Sequence, residues 1–555
     1  MARPTPQDWI ETGDNAAPAP MATARRDATI QFCLAALLLI GYLVLGWRGR
    51  EPTDIGGSDE LEYIALSHSI EQGSYREIYL ADHPRAVKYP PAFPAWIALV
   101  RQVAGDRVDA VLAANLVFIA GSLLLLFIAA RQLLGGWLAV AFLALCVINP
   151  WVLETGGNKM SEAPFLFFTT AALFLAWKAP PGAIGRIGAV VALALLAFLT
   201  RSAGLTIVVA IGVWLLPRRA PRELALYAVA CALIVGGWMG YASLVKDRDV
   251  SQTYVRDLAG SDAAADPTGA VKRIATRSFN GAKTLATRTF MWTLAVPTIE
   301  GTAIDNAAWL GAISLLLLVG VFLLWHRWRA LAAFLVLYGG LLVAWPYTQD
   351  RLVGVVVPLI FLTMLLAARA LADRLPRRVG LAAISTFVVL LGFGNVQRGF
   401  ARDAERQQCD RALPYLSAPC YDVPERARGA RTLYTAGEFI RTHSNPDDVV
   451  VASKPASVYF LTGRRTLSAR NAQPIPDSSL VTSLRARNVR FVLVTFYFEG
   501  EDGGVARGLL PDCGAVRIEA NLLPDALVLS LPDSAAASPN ACAALGEFLK
   551  VMPAQ

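Results

Sequence analysis

Long apolar runs alternate with short polar breaks through the first four hundred residues, and most runs are long enough to cross roughly 30 Å of hydrocarbon. They fall near 29–47, 108–130, 133–150, 162–178, 184–200, 202–216, 223–245, 306–325, 330–346, 351–372 and 379–396. This pattern predicts about eleven helical spans. The runs lack the strict apolar–polar alternation that barrel strands require. The pair between Ile184 and Leu216 is short, with Arg201 at the turn between them. Composition agrees: 55% of residues are hydrophobic, 17% are charged and the mean hydropathy is +0.46. A polytopic α-helical membrane protein is expected.

After Arg398 the pattern becomes that of a soluble domain. Residues 425–444 and 456–464 read as helices, with 478–488 as a third. DDVVVAS reads as a short buried strand, and VRFVLVTFYF is the strongest strand in the chain. The alternation predicts a small α/β domain. No glycine-rich phosphate fingerprint joins a strand to a helix there, so nucleotide binding is not expected. The expected organisation is a cytoplasmic tail (1–28) and a transmembrane domain (29–396) with outer loops at 48–107 and 246–305. A periplasmic α/β domain (397–555) follows. No internal repeat is visible, which argues against a transporter built from inverted repeats.

The formal net charge of +8 is distributed as topology requires and gives no nucleic-acid footprint. One set of short loops carries Arg25, Arg26, Arg131, Lys178, Arg186, Arg218, Arg219, Arg222, Arg327, Arg329, Arg374, Arg377 and Arg378. Only Asp27, Glu223 and Asp373 dilute it. The positive-inside rule then puts the N-terminus in the cytoplasm, and the first loop and the C-terminal domain outside. No convincing cleavage site follows the first run, which is read as a retained span. In the outer segment 246–305, Lys272, Arg273, Arg277, Lys283 and Arg288 are interspersed with apolar residues. That half suits either an interfacial helix near anionic headgroups or a solvated helix. Of seven cysteines, Cys409, Cys420, Cys513 and Cys542 lie in the polar C-terminal part. They permit two disulfides in an oxidising compartment, with neighbour pairing favoured among three connectivities.

The richest polar stretch is the loop from Asp54 to Trp96. It gathers Asp59 and Glu60, His68 and His83, Lys88 before Pro90 and Pro91, and several tyrosines including Tyr89. A short helix is expected from about Ser58. Acids in a first helical turn are often only dipole partners. At the outer membrane surface, however, a carboxylate can accept a proton from an incoming hydroxyl or amine. Pro90 and Pro91 predict an extended lead into the next amphipathic segment. Lys88 is thereby presented at headgroup depth, where a lysine either snorkels or pairs with phosphate.

Three more polar groups sit where spans meet the outer face: Asn158, Lys159, Ser161 and Glu162; Arg201; and Tyr347, Gln349, Asp350 and Arg351. Ionisable groups among apolar helices are costly and often functional. Four such sites on one predicted side favour a shared cavity. No close His/His or Cys/Cys ligand spacing is present, so His68 and His83 are not expected to hold a metal. Serine-nucleophile, P-loop and dinucleotide motifs are absent from the sequence.

The order of these motifs resembles the GT-C superfamily of lipid-linked glycosyltransferases, nearest to protein O-mannosyltransferases and the aminoarabinose transferases of lipid A. The resemblance covers 29 to about 396. It rests on the Asp-Glu pair, Lys88 before Pro-Pro, Ser161-Glu162-x-Pro, Thr200-Arg201-x-x-Gly204 and Asp350-Arg351-Leu352 before a later proline. It implies transfer of a sugar from a polyprenyl-phosphate donor to a lipid, glycan or protein acceptor on the periplasmic face of a bacterial inner membrane, with inversion. Asp59 would be the base and Glu60 would position it or substrate. Lys88, Tyr89, Arg201, Arg351 and Tyr347 would bind substrate. Glu162 matches a position that some members use for acceptor or for a divalent metal. This chain has Tyr89 between the lysine and the prolines, one residue more than the tightest form of that motif. The competing readings are a transporter or flippase for a lipid or anionic solute, and a non-catalytic scaffold. The first needs ionisable groups on paths to both faces; the second leaves the outer-rim charges unexplained.

Overall fold

Each expected apolar run is a helix. The structure, a computed structural model, describes residues 21–50, 58–105, 107–245, 267–295, 303–345, 350–412, 424–472, 478–495, 499–523, 525–532 and 540–551. Six helices are long and apolar enough to cross a membrane: Arg25–Arg48, Asp109–Leu134, Pro221–Leu244, Trp309–Arg327, Asp350–Ala372 and Arg377–Ala401. Gly136–Ile148 and Pro150–Gly157 form a bent pair, at 61°, that would make a seventh. Glu162–Trp177, Ile184–Thr200, Ser202–Arg218 and Arg329–Ala344 are apolar but shorter. A sixteen-residue helix such as Glu162–Trp177 rises only about 24 Å. The protein is a multi-pass membrane protein, and helix length alone supports six or seven crossings rather than the larger number expected.

The chain divides into two compact units: Met1–Arg50 with Leu112–Gly236 and Val255–Phe400, and Glu51–Val111 with Gly237–Tyr254 and Ala401–Gln555. In the first unit, the helix Asp350–Ala372 is buried along nearly its whole length. The bend in the broken pair has a local cause. Pro150 opens the second helix, and the Asn149 side chain caps it by accepting from the Trp151 and Val152 amides. The Asn149 amide also donates to Asn395 Oδ1 at 2.7 Å and to the Thr293 carbonyl at 3.0 Å. The basic half of the segment 246–305 is helical over Pro267–Thr284 and continues through a π-helical turn, Leu285–Thr289.

The helix Arg377–Ala412 runs well past the expected end near residue 396. The change to polar residues there does not end the helix. Residues 397–412 are mostly good helix formers, and the first proline after Arg398 is Pro414.

In the second unit, the C-terminal region is an α/β domain with the five-stranded order β2-β1-β3-β5-β4. The strands are β1 (Val449–Ala452), β2 (Thr466–Ser468), β3 (Val489–Thr495), β4 (Arg517–Leu522) and β5 (Ala526–Ser530). β2, β1 and β3 are parallel, and β5 and β4 complete the sheet antiparallel. Alternate residues serve opposite faces. Val449, Val451, Val492, Val494, Leu527 and Leu529 pack on one side with Leu484, Leu509 and Phe548. Val450, Phe491, Leu493 and Val528 pack on the other with Leu433, Ile440 and Val458. Burial on both faces explains the unbroken apolar run of β3. Cys513 and Cys542 form a disulfide, as expected. The Cys409–Cys420 pairing lies outside the described residues.

The loop after the first helix belongs to this same unit. Its helix Ser58–Glu71 begins where expected. Beyond it, Leu80 forms a parallel bridge to Thr466 on edge strand β2. The Thr466 amide and hydroxyl both donate to the Tyr79 carbonyl, at 2.9 and 2.8 Å, and the Ala81 amide donates to the Thr466 carbonyl at 2.9 Å. Leu61, Ala65, Tyr79, Leu80 and Ala456 close a small apolar core beneath these bonds.

Candidate active site

The loop brings Lys88 and Tyr89 back onto the helix that carries Asp59. Asp59 and Glu62 are three residues apart and so share a helical face. Tyr89 donates to Asp59 Oδ1 at 2.8 Å, and Lys88 Nζ donates to Glu62 Oε2 at 3.0 Å. The ammonium also lies 4.6 Å from the centroid of the Tyr89 ring, close enough for a cation–π contact. Tyr63 packs against both Tyr89 and Phe93, and Tyr75 donates to the Tyr89 carbonyl at 2.7 Å. The aromatic packing and hydrogen bonds fix Tyr89, and through it the carboxylate. Glu60 is buried. The lead into the next helix is less extended than the prolines suggested, because Pro91 already has helical dihedrals as the N-cap of Ala92–Ala104.

Burial pulls the Lys88 pKa down, but the neighbouring Glu62 and Asp59 carboxylates outweigh it and leave the group above its ordinary value. Lys88 is therefore charged. Glu77 is the counterpart: burial, reinforced by Glu62 and opposed by Lys88, raises its pKa from 4.5 to about 8. Near neutral pH its carboxyl holds a proton beside the Lys88–Glu62 pair.

In the first unit a second constellation forms. Glu162, buried at the start of its helix, pairs through Oε1 with Arg201 Nη1 at 2.6 Å and with Arg351 Nε at 2.5 Å. Arg201 Nη1 also reaches Ser161 Oγ at 3.4 Å. Arg201 sits at an extended break, φ −155° and ψ 134°, after the helix Ile184–Thr200. The glycine of the Thr-Arg-x-x-Gly motif has a steric reason: a Cβ on Gly204 would lie 2.4 Å from the Ala197 carbonyl oxygen. Arg351 follows Asp350, whose Oδ1 accepts from Thr289 in the π-turn at 2.8 Å. Asn158 is buried, and its carbonyl accepts from Asn115 Nδ2 at 2.8 Å; Lys159 is buried beside it.

Asp59, Lys88 and Tyr89 are thus brought together in one unit, and Glu162, Arg201 and Arg351 in the other. Tyr347 and Gln349 lie outside the described residues. Sequence reasoning missed Glu62 and Glu77. The first carried a signal, an acid one helical turn from Asp59; the second had none before the loop folds back. His68 packs edge-on against Phe460. Among the described residues no group of three or more His, Cys, Asp or Glu is placed to hold a metal, so no chemical step is derived through one.

No protein-family model matches the chain, and no curated protein matches it in sequence. Solved structures do match. ArnT from Cupriavidus metallidurans, bound to undecaprenyl phosphate, aligns with a TM-score of 0.51 at 15% identity, over 91% of this chain and 99% of that one. Archaeal oligosaccharyltransferase AglB from Archaeoglobus fulgidus, in complex with an inhibitory peptide and a dolichol-phosphate, aligns with a TM-score of 0.53 at 12% identity, over 93% of this chain and 77% of that one. Both are GT-C lipid-linked glycosyltransferases. The chain has the GT-C fold. The GT-C resemblance drawn from short motifs therefore extends to the three-dimensional path of nearly the whole chain.

Proposed function

We propose that the chain moves a sugar from a polyprenyl-phosphate donor to a hydroxyl or amine acceptor at the periplasmic face of a bacterial inner membrane, with inversion. The reading rests on one observation above all: Lys88 and Tyr89 fold back so that a charged ammonium and a fixed carboxylate, Asp59, share one surface. That two proteins of the same fold were solved with undecaprenyl phosphate and with dolichol-phosphate supports a lipid-phosphate donor. The Cys513–Cys542 disulfide supports an oxidising compartment for the C-terminal domain. In this reading the four shorter apolar helices also cross the membrane, and the N-terminus is cytoplasmic.

Asp59 takes the acceptor proton while the acceptor oxygen or nitrogen attacks the anomeric carbon. The bond from that carbon to the phosphate oxygen breaks, and polyprenyl phosphate leaves with the electron pair. The phenol of Tyr89 holds Asp59 through Oδ1 and so orients the carboxylate that takes the proton. Lys88 has three donors and spends one on Glu62, so two remain for the leaving phosphate. Arg201 and Arg351 converge on Glu162, and a cluster of two guanidiniums suits a phosphate or anionic membrane lipid. Glu60 supports the base from within the helix.

The test uses the full-length protein in lipid nanodiscs with a radiolabelled polyprenyl-phosphate sugar. Asp59→Asn should lose transfer while still binding polyprenyl phosphate, and Lys88→Ala should weaken that binding. Undiminished transfer by Asp59→Asn would overturn the assignment of the base. Mass spectrometry of envelope glycans and glycolipids, with and without the protein, would name the sugar and the acceptor class through the one sugar lost.

A further inference from the structure

A cavity of about 330 Å³ opens in the second unit where the loop after the first helix meets the C-terminal domain. From the loop it is lined by Ser74, Arg76 and His83, and from the domain by Asp447, Tyr459 and Arg465. Its charge is lopsided. Two guanidiniums face one carboxylate, Asp447, which is 92% exposed and 3.8 Å from Arg465. Such a pair is weak and easily displaced. Arg76 donates to the His83 carbonyl at 3.0 Å, which leaves most of its fork unused. His83 has φ +43°, a strained value for a residue other than glycine, of the kind that collects at ligand sites. Desolvation lowers the His83 pKa, with Arg465 and Arg76 adding to it and Asp82 opposing.

We propose that this pocket binds a phosphate-class anion, gripped by Arg76 and Arg465 from opposite walls, and thereby pins the loop segment 76–89 to the C-terminal domain. A tetrahedral oxyanion offers acceptors in several directions, which suits two forks and an imidazole arriving from different elements. The volume leaves space for a small substituent beyond the phosphate itself. Because Lys88 and Tyr89 lie on the same segment, the bound anion would reinforce the placement of both. The proposal does not depend on sugar transfer, since binding is read directly.

The full-length protein in neutral phosphatidylcholine nanodiscs is titrated with inorganic phosphate by calorimetry, and in parallel the nanodiscs are made with phosphatidic acid. Arg465→Gln and Arg76→Gln are compared with the wild type, so that the difference isolates this pocket from other cationic groups. Saturable phosphate binding that falls at least tenfold in Arg465→Gln, with an unchanged phosphate-free melting point, identifies a free anion as ligand. Loss of binding seen only with phosphatidic acid identifies a lipid headgroup. In either case hydrogen exchange over 76–89 should slow on binding. The absence of saturable binding to both, or binding equal in the wild type and both variants, would overturn the proposal.

Discussion

Tyr89 donates a hydrogen bond to Asp59 Oδ1 at 2.8 Å across thirty positions of sequence, while its neighbour Lys88 holds Glu62 one helical turn along. The residue that lengthens the lysine-to-proline spacing is therefore the one that orients the carboxylate. Tyr89→Phe keeps the ring packing against Tyr63 and removes only the phenol oxygen. It should lower kcat about tenfold with little change in donor KM, because one charge-assisted hydrogen bond contributes roughly 1.5–3 kcal/mol at most. Asp59→Asn should fall much further, by about 10²–10⁴, the usual worth of a general base. Steady-state kinetics of the two variants would separate the roles. Equal losses would mean that Tyr89 does more than orient.

Glu162 pairs with both Arg201 and Arg351 through a single buried oxygen. Removing one member of such a group exposes the others to uncompensated charge, at a cost of about 3–5 kcal/mol. Arg351 is 39% exposed, so water screens part of this and the lower end applies. Glu162→Ala should lower the thermal unfolding midpoint markedly, and Glu162→Gln, which keeps an acceptor oxygen, by less. A midpoint unchanged in Glu162→Ala would show that the two guanidiniums are held apart by other contacts.

Much of this was legible in the sequence because apolar periodicity is local. Every long run became a helix, and the strands β1 and β3 fell where unbroken valine-rich segments stood. The short β2 and β4 had no comparable signal: β4 is partly exposed along its length, and β2 is three residues long. The span expected at 379–396 lies within the helix Arg377–Ala412, which continues beyond its apolar part because polar residues can keep good helix propensity. Asp59, Lys88, Glu162, Arg201 and Arg351 stood out as ionisable residues beside apolar runs. What joins them did not. Glu62 paired with Lys88, and Glu77 buried beside them, follow only from the loop folding back on edge strand β2, a contact between residues nearly four hundred apart.

The Cys513–Cys542 disulfide closes a separation of 29 residues, tying the turn Leu510–Ala515 to the last helix, Ala541–Val551. Chain-entropy arguments put the worth of such a loop at roughly 3–4 kcal/mol. Cys513→Ser should therefore lower the stability of the C-terminal domain by about that amount, read by limited proteolysis of the full-length protein under denaturant. Reductant should shift the wild type to the variant's behaviour and leave the variant unchanged. A wild type indifferent to reductant would mean that the cross-link adds little to a core already closed by Phe548 and Leu545.

Glu77 makes stability depend on pH in a direction opposite to that of most carboxylates. Its folded pKa is near 8 against 4.5 ordinarily, so between those values the folded state holds a proton that the unfolded chain releases. Stability then falls as pH rises through this window, and the loss is complete above the folded value. The unfolding midpoint of the wild type should decline from about pH 5 to about pH 8, and Glu77→Gln, neutral throughout, should flatten that decline. Because the ionised form would also add a negative charge beside Glu62 and Lys88, donor binding should weaken as pH rises through about 8 in the wild type and not in Glu77→Gln. Parallel pH profiles of the two proteins, in both unfolding and binding, would show that another group titrates there.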